Sequence, residues 1–193
     1  MRIIAGQFRS RALRSLPGAE IRPTSDRLRE TLFNVLASGN SSALDGSILL
    51  DLFAGTGAVG IEALSRGAAM VYFVEMSKAA TELIHKNLQP LGVEDRCRIL
   101  RQEARRAISA LESQAVKPDF IFLDPPYALQ NAYRETLTAL ANSSLAESAL
   151  VIAEHEKKFD PGEEFGALVR TRRLDQGDAA LSFYRKVQQT RSD

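Results

Sequence analysis

The sequence predicts an α/β protein built around a doubly wound, mostly parallel β-sheet. Short apolar runs alternate with helical stretches between residues 48 and 154, and strands that are apolar along their whole length are typical of parallel sheets covered by helices. After residue 165 the pattern changes to two runs around a Gly-containing turn, which predicts a closing antiparallel hairpin. The five apolar runs and the hairpin together predict seven strands.

The predicted elements follow one another with short connections. Residues 2–14 have the pattern of two short strands around a glycine turn, and residues 21–38 that of an amphipathic helix. A polar linker covers residues 38–46. The apolar runs that predict strands are 48–53, 70–75, 97–102, 119–124 and 149–154, and the predicted helices between them are 58–66, 77–89, 104–115 and 130–143. We therefore expect a small extension over residues 1–40, with a β-hairpin and a helix, and a main domain over residues 41–193.

Composition excludes several classes of protein. No apolar run approaches the roughly 18 residues that cross a bilayer, and the first residues contain arginines where a signal peptide has its hydrophobic stretch. We expect a cytoplasmic protein with no membrane partner. The single cysteine, Cys97, permits neither an internal disulfide nor a cysteine-based metal site. The other histidine, His85, lies in a different predicted element from His155, so we expect no metal.

Charge is distributed unevenly along the chain. The net charge is only +1, yet residues 1–30 contain seven arginines, three acidic residues and no lysine. Arginine binds phosphate groups through two parallel hydrogen bonds, so this segment has the composition of a nucleic-acid contact. A solvated charged face is the alternative explanation of the same composition.

The stretch DLFAGTGAVG, residues 51–60, contains Gly55, Gly57 and Gly60 in the spacing of a dinucleotide-binding loop. Asp51 stands at its entrance, where a carboxylate would repel a pyrophosphate by a few kcal/mol in a partly dry site. S-adenosylmethionine fits better, because it has no phosphate, carries a sulfonium and an ammonium group, and needs glycines only for close approach of the backbone. A tight strand-helix turn without a ligand is the alternative.

Acidic residues end or follow four of the predicted strands, namely Asp51, Glu75, Glu103 and Asp124. Ligands of such sheets bind at the carboxyl ends of the strands, so the expected crevice is anionic. Glu75 is placed to accept both hydroxyl groups of a ribose, and Glu103 with the Ala104 amide to meet the edge of an adenine.

A second motif, Asp124-Pro125-Pro126-Tyr127, follows the fourth predicted strand immediately. The two prolines fix the backbone, so the Pro125 carbonyl is expected to face outward as an acceptor. Asp124 and that carbonyl would hold the two hydrogens of an exocyclic amino group, and Tyr127 would stack on its base. Two such acceptors orient the nitrogen lone pair toward a sulfonium methyl, which predicts amino-group methylation without a metal. An ordinary strand-ending turn is the alternative.

These motifs together resemble a known family. DLFAGTGAVGIEALSRGA with DPPY is similar to the class I, Rossmann-like amino-methyltransferases, and RIIAGQFRSRAL with RPTSDRLRETLFNVL resembles the amino-terminal signature of the RsmD family. The resemblance covers nearly the whole chain. It implies methylation of the exocyclic N2 of a guanine in 16S ribosomal RNA, with assembled or partly assembled small subunits as substrate.

The resemblance also implies the site residues. The expected cofactor-binding residues are Asp51, Phe53, Gly55, Thr56, Gly57, Glu75, Met76, Glu103, Ala104 and Asp124. Asp124, Pro125, Pro126 and Tyr127 are expected to be catalytic. Arg9, Arg11, Arg14, Arg22, Arg27 and Arg29 are expected to bind RNA. Glu103 stands where the family pattern has Asp or Asn. The expected protein is a monomer that uses S-adenosylmethionine, and Tyr133 is interpreted as a packing residue.

Three other functions remain open at this point. A DNA amino-methyltransferase, acting on adenine N6 or cytosine N4, uses the same kind of acidic-Pro-Pro-aromatic segment, but 193 residues leave little room for a target-recognition region. A protein-glutamine methyltransferase has no use for the basic amino-terminal segment. A non-catalytic nucleotide-binding or RNA-binding module has no use for an intact DPPY.

Overall fold

The computed structural model describes residues 1–15 and 23–187, except for the side chains of residues 23–25. The chain forms two compact units, Met1–Glu103 and Ala104–Asp193. The predicted boundary near residue 40 separates an RNA-binding extension from a main domain by function, and it stays a prediction.

The first unit contains a parallel three-stranded arrangement with its helices. Its elements are α1 (Pro23–Leu36), β1 (Ile48–Asp51), α2 (Ala58–Ser65), β2 (Met70–Val74), α3 (Lys78–Leu88) and β3 (Cys97–Leu100), with short 3-10 turns at Gln89–Leu91 and Glu94–Arg96. Strand β2 lies in the middle and pairs in parallel with both β1 and β3. The side chains of Leu50, Phe73 and Ile84 are fully buried, as the uninterrupted apolar runs predict.

The second unit begins in parallel and ends in antiparallel pairing. Its elements are α4 (Ala104–Ser113), β4 (Phe120–Leu123), α5 (Gln130–Ala141), a 3-10 turn at Ser144–Ala146, β5 (Leu150–Glu156), β6 (Glu164–Phe165), β7 (Leu168–Gln176) and β8 (Ala179–Lys186). Strand β4 is parallel to β5, β5 pairs antiparallel with β8, and β7 pairs antiparallel with β8 and with β6. The predicted closing hairpin is therefore β7 and β8. The described residues contain eight strands, one more than predicted, because the two-residue β6 pairs with the start of β7.

The amino-terminal hairpin differs from the prediction. Residues 1–14 form a single antiparallel bridge, between Arg2 and Ala12, in place of two strands. The reason is that backbone N–H groups of this segment bond to α2: Ile4 and Ala5 donate to the Glu62 carboxylate at 2.7 and 3.0 Å, and Phe8 donates to Ser65 Oγ at 3.0 Å. These donors are consequently used outside any strand ladder.

Candidate methyltransferase site

The first unit places a glycine loop, residues 52–57, between β1 and α2. Gly55 and Gly57 have φ angles of +53° and +79°, a backbone region in which a side chain costs energy. The Gly57 N–H donates to the Ala54 carbonyl at 2.7 Å, and the Ala54 N–H donates to the Val74 carbonyl at 3.0 Å. The loop is thus held against the end of β2, and it turns directly into the helix.

Gly55 and Gly60 of the motif differ in the space around them. A Cβ at Gly60 would lie 2.3 Å from the Phe73 ring, so glycine is needed there for helix α2 to pack on β2. A Cβ at Gly55 would meet no atom within 4 Å. Packing within the chain therefore does not require glycine at this position, whereas its φ of +53° favours glycine. The open space leaves room for a ligand beside the backbone.

Two predicted cofactor-binding carboxylates are attached to this loop. Asp51 is buried, and its Oδ2 accepts the Gly60 N–H at 3.3 Å, so a negative charge lies at the positive end of α2. Glu75 is half-buried and accepts the Gly55 N–H at 2.9 Å through Oε2 and the Ser77 N–H at 2.8 Å through Oε1. The Asp51 carboxylate therefore lies at the amino terminus of α2, where a dinucleotide would place its phosphate, and it would repel that phosphate.

The remaining predicted cofactor residues vary in exposure. Phe53 and Thr56 are half-buried, Glu103 is exposed and Ala104 is buried at the start of α4. The Met76 side chain is 66% exposed, one of the largest exposed apolar side chains described. An apolar side chain in water at the end of β2, next to Glu75, is available to cover an apolar or aromatic ligand.

The second unit carries the DPPY segment, residues 124–127, directly after β4. Asp124 and Tyr127 are half-buried, Pro125 is buried and Pro126 is exposed. The Pro126 carbonyl accepts the Leu129 N–H at 2.7 Å, which closes the segment into a turn before α5 begins at Gln130. Pro125 as a residue is buried, and the outward direction expected for its carbonyl stays a prediction.

Tyr133 explains the position of Pro125. Its hydroxyl group lies 2.9 Å from the Glu154 carbonyl oxygen and 3.4 Å from the Pro125 carbonyl oxygen. Since one hydroxyl proton serves two carbonyls and the shorter bond goes to Glu154, the Pro125 oxygen keeps acceptor capacity. Burial, followed by the nearby charge of Asp124, raises the pKa of Tyr133. Tyr133 does pack, with its ring 5.1 Å from that of Phe159, but it also supports the DPPY segment.

The predicted RNA-binding arginines divide into two groups. Arg9, Arg11, Arg14 and Arg27 are exposed, and the Arg11 guanidinium also donates to the Pro90 carbonyl at 2.8 Å. Arg22 lies outside the described residues. Arg29 differs from the prediction: its side chain is 4% exposed and pairs with Asp26 at 2.8 Å, and it donates to the Arg2 carbonyl at 2.6 Å. Because these partners bury the guanidinium, we remove Arg29 from the proposed RNA contacts.

Sequence reasoning missed two anchors of the amino-terminal segment. Glu62 is fully buried, and besides the two N–H groups of this segment it pairs with Arg66 Nε at 2.8 Å. Ser65 accepts the Phe8 N–H and donates to the Ala5 carbonyl at 2.6 Å. A single acid within the otherwise apolar run AVGIEALS was the available signal, because a buried carboxylate requires hydrogen-bonding partners.

The described residues contain neither a metal-binding cluster nor a membrane-spanning helix. Among residues 1–15 and 23–187, no group of three or more His, Cys, Asp or Glu side chains is arranged to hold a metal ion. In the same part of the chain no helix is both long enough and apolar enough to span a membrane.

Comparison with known proteins gives a family match over most of the chain. Residues 1–185 match the family model described as "Conserved hypothetical protein 95". "Putative rRNA methyltransferase YlbH" of Bacillus subtilis is 35% identical over 187 residues, covering 96% of this chain and 99% of that protein. "Ribosomal RNA small subunit methyltransferase D" of Escherichia coli K12 is 39% identical over 157 residues, covering 81% of this chain and 75% of that protein.

A solved structure agrees with this match. "Putative methyltransferase yhhF" from Escherichia coli has a TM-score of 0.78 and 33% identity, covering 97% of this chain and 99% of that one. The strands, helices and glycine loop have the Rossmann-like methyltransferase fold. Within that class, the chain belongs to the conserved hypothetical protein 95 family, which is the RsmD family of methyltransferases.

Proposed function

We propose that the protein transfers a methyl group from S-adenosylmethionine to the exocyclic N2 amino group of a guanine in 16S ribosomal RNA. Membership of the RsmD family supports a methyltransferase acting on ribosomal RNA. The substrate in this proposal is the assembled or partly assembled small subunit. The protein acts in the cytoplasm as a monomer and without a metal.

The observation that carries the proposal is the space at Gly55. No atom lies within 4 Å of the place that a Cβ would take at this position. The Glu75 carboxylate accepts the backbone N–H of the same residue at 2.9 Å. A phosphate-free, cationic ligand fits this arrangement, because open space beside a backbone is combined with negative charge. The residues therefore fit S-adenosylmethionine better than a dinucleotide.

The side chains around the loop have distinct tasks in the proposal. When bound, the cofactor supplies a methyl group on a positively charged sulfur. Asp51 keeps anions from the α2 terminus and favours that positive charge. Glu75 retains free lone pairs on both oxygens, which accept hydrogen bonds from ribose hydroxyls. The exposed Met76 side chain covers the adenine, and Glu103 with the Ala104 amide binds the adenine edge.

The DPPY segment binds the target base. Asp124 and the Pro125 carbonyl accept one hydrogen each from the exocyclic amino group, and Tyr127 stacks on the ring. The lone pair of such an amine is delocalised into the ring, so these acceptors favour the geometry in which the nitrogen becomes nucleophilic. The Tyr133 hydroxyl holds the Pro125 carbonyl in position. Catalysis then consists of orienting the amine and stabilising the developing charge.

The amino-terminal segment, residues 1–15, supplies the RNA contacts together with α1. A base that is paired within a helix cannot enter a protein pocket, so the target guanine is unpaired or flipped out, which costs a few kcal/mol. Phosphate contacts of Arg9, Arg11, Arg14, Arg22 and Arg27 offset this cost in the proposal. The Glu62 and Ser65 bonds hold the backbone of the segment that carries Arg9, Arg11 and Arg14.

Two measurements, made one after the other, test the proposed cofactor and the proposed substrate. Calorimetry should detect binding of S-adenosylhomocysteine, with NAD at least tenfold weaker, a difference of about 1.4 kcal/mol. Small subunits that lack the modification, incubated with the protein and methyl-labelled cofactor, should then yield labelled N2-methylguanine after digestion. Equal binding of NAD would contradict the cofactor assignment. Label found in DNA, or at another position of guanine, would contradict the substrate assignment.

A further inference from the structure

A buried amide joins the amino-terminal segment to the glycine loop. Asn87, near the end of α3, is 3% exposed. Its Oδ1 accepts the Arg14 N–H at 2.8 Å, and its Nδ2 donates to the Arg14 carbonyl at 3.2 Å and to the Thr56 carbonyl at 3.0 Å. One side chain therefore uses its acceptor and both its donor hydrogens on two segments that are distant in sequence.

The two partners of Asn87 belong to different tasks. Arg14 is an exposed arginine of the proposed RNA-binding set, and Asn87 holds both of its backbone polar groups, as a neighbouring strand would. Thr56 stands between Gly55 and Gly57, whose φ angles of +53° and +79° give the loop a special backbone conformation. The peptide that Asn87 fixes is therefore the one between Thr56 and Gly57, one residue after Gly55, where the space proposed for the cofactor is open.

We propose that Asn87 is a positioning residue that couples the amino-terminal segment to the glycine loop, so that RNA binding and S-adenosylmethionine binding strengthen each other. This inference rests on the function proposed above. It assigns to Asn87 no contact with substrate or cofactor.

The coupling is expected to be positive because each ligand restricts backbone motion that the other would otherwise have to restrict. Phosphate contacts to the segment restrict the Arg14 backbone, and its two bonds to Asn87 pass this restriction to the amide. A fixed amide restricts the Thr56 carbonyl, so less ordering of the loop remains when the cofactor binds. Since coupling between two binding equilibria is reciprocal, bound cofactor raises RNA affinity by the same factor.

The test measures S-adenosylhomocysteine affinity by calorimetry with and without a saturating short RNA hairpin containing unpaired guanines. In the unaltered protein the hairpin should raise this affinity about fivefold or more. In Asn87→Asp, which keeps the acceptor but loses both donors, and in Asn87→Ala, the factor should fall to about one. Both variants should still bind the hairpin, because the arginines are unchanged.

Two controls separate coupling from general damage. Glu82→Gln alters an exposed side chain of α3, the helix that carries Asn87, and leaves the bonds of Asn87 in place, so its coupling factor should equal that of the unaltered protein. Asn142 is an exposed asparagine of the second unit that donates to the Thr138 carbonyl at 2.9 Å. Asn142→Ala loses the same kind of bond and should leave the coupling factor unchanged.

If the Asn87 variants do not fold, a measurement on the unaltered protein still tests the coupling. Hydrogen exchange of the Gly57 amide, whose N–H bonds to the Ala54 carbonyl, should slow when the hairpin is added to the unaltered protein. Normal coupling in Asn87→Asp, or unchanged exchange at Gly57, would overturn the inference. If the protein binds the cofactor and transfers methyl groups but shows no coupling, this inference alone is overturned. If it neither binds the cofactor nor transfers methyl groups, the proposed function is overturned as well.

Discussion

Asp124 is the residue on which the proposed chemistry depends most. It is half-buried directly after β4, and its charge is close enough to Tyr133 to contribute to the raised pKa of that phenol. We expect Asp124→Ala to lower kcat by two or more orders of magnitude, on the order of 3 kcal/mol, because it removes an acceptor that matters most as the amine becomes nucleophilic. Single-turnover methyl transfer measures this loss.

Two further variants define what the Asp124 result means. Asp124→Asn keeps an oxygen acceptor and should retain more activity than Asp124→Ala. Asp178→Ala removes an exposed carboxylate in the turn before β8 and should leave kcat unchanged. In the two Asp124 variants S-adenosylhomocysteine affinity should fall far less than kcat, and in Asp178→Ala it should not change. Near-normal turnover of Asp124→Ala would mean that another group orients the amine.

His155 makes stability depend on pH. It is fully buried, with Nδ1 2.8 Å from the Glu156 carbonyl oxygen and Nε2 2.9 Å from Ser182 Oγ. A carbonyl only accepts, so Nδ1 carries the proton and the neutral ring is fully bonded. Burial lowers the pKa of His155 below its usual 6.5, so the unfolded chain takes up this proton at higher pH than the folded protein.

The sign of the pH effect follows from linkage. The contribution of neutral His155 to stability is complete above the unfolded pKa of 6.5 and is lost as the pH falls through the lower folded pKa. Urea unfolding between pH 7.5 and pH 5, values chosen to span roughly that range, should show a decreasing free energy of unfolding. His155→Gln should be less stable at the upper end and show a shallower pH dependence. An equal slope in both proteins would contradict this assignment.

At the scale of elements, the glycine loop allows binding and folding to be separated. Gly55→Ala adds a methyl group to open space at a φ of +53°, which costs roughly 1–2 kcal/mol of stability and obstructs the proposed cofactor. Gly60→Ala places a Cβ 2.3 Å from the Phe73 ring, so α2 must move away from β2. We expect Gly55→Ala to weaken S-adenosylhomocysteine binding more than it lowers the Tm, and Gly60→Ala mainly to lower the Tm. The reverse pattern in calorimetry and thermal melting would argue against a ligand at Gly55.

The amino-terminal segment is the element proposed to contact RNA. Arg9 and Arg11 are both exposed, and each lost phosphate contact lowers the slope of log affinity against log salt by about one unit. The double variant Arg9→Ala with Arg11→Ala should therefore bind RNA more weakly, with a slope smaller by about two units and unchanged cofactor affinity.

A matched pair of arginines from the second unit controls for the loss of charge. Arg172 and Arg185 are exposed on β7 and β8, and their replacement by alanine should leave the salt slope unaltered. Salt titrations of RNA binding by both double variants make the comparison. Equal losses in the two would show that binding reflects overall charge rather than this segment.

The elements themselves were largely predictable from sequence, whereas their anchoring was not. Strand β4 was expected at 119–124 and lies at Phe120–Leu123, and α3 was expected at 77–89 and lies at Lys78–Leu88, because local apolar runs and helix signals determine such elements. The bonds of Glu62 and Asn87 to the amino-terminal segment join residues 57 to 73 positions apart. No local pattern encodes such pairs, and they explain why the expected hairpin is one bridge.

Several site features were also beyond sequence reasoning. The positive φ angles of Gly55 and Gly57 agree with the loop that the glycine spacing predicts, whereas the roles of this loop and of the DPPY segment in binding stay predictions. The buried Arg29 pairs with Asp26 of its own helix and lies 3.9 Å from Glu62 of α2, and the buried Pro125 has its carbonyl oxygen beside Tyr133 of α5. Exposure of a charged residue cannot be read from the charge alone, which is why one of the six arginines was assigned wrongly.

At the scale of the whole molecule, the two units carry complementary parts of the proposed reaction. The first unit contains the glycine loop, Glu75 and the arginines, and the second contains the DPPY segment. Small-subunit particles should accept methyl groups better than naked 16S RNA in the proposal, because organised RNA presents the guanine already out of its helix and lowers the cost of flipping.

Nucleoside mass spectrometry of 16S ribosomal RNA, from cells with and without the gene, tests the proposed activity most directly. We predict that one N2-methylguanine disappears when the gene is removed, returns with the unaltered gene and does not return with the Asp124→Ala gene. An unchanged set of N2-methylguanines in cells without the gene, or the loss of a different methylated nucleoside, would contradict it.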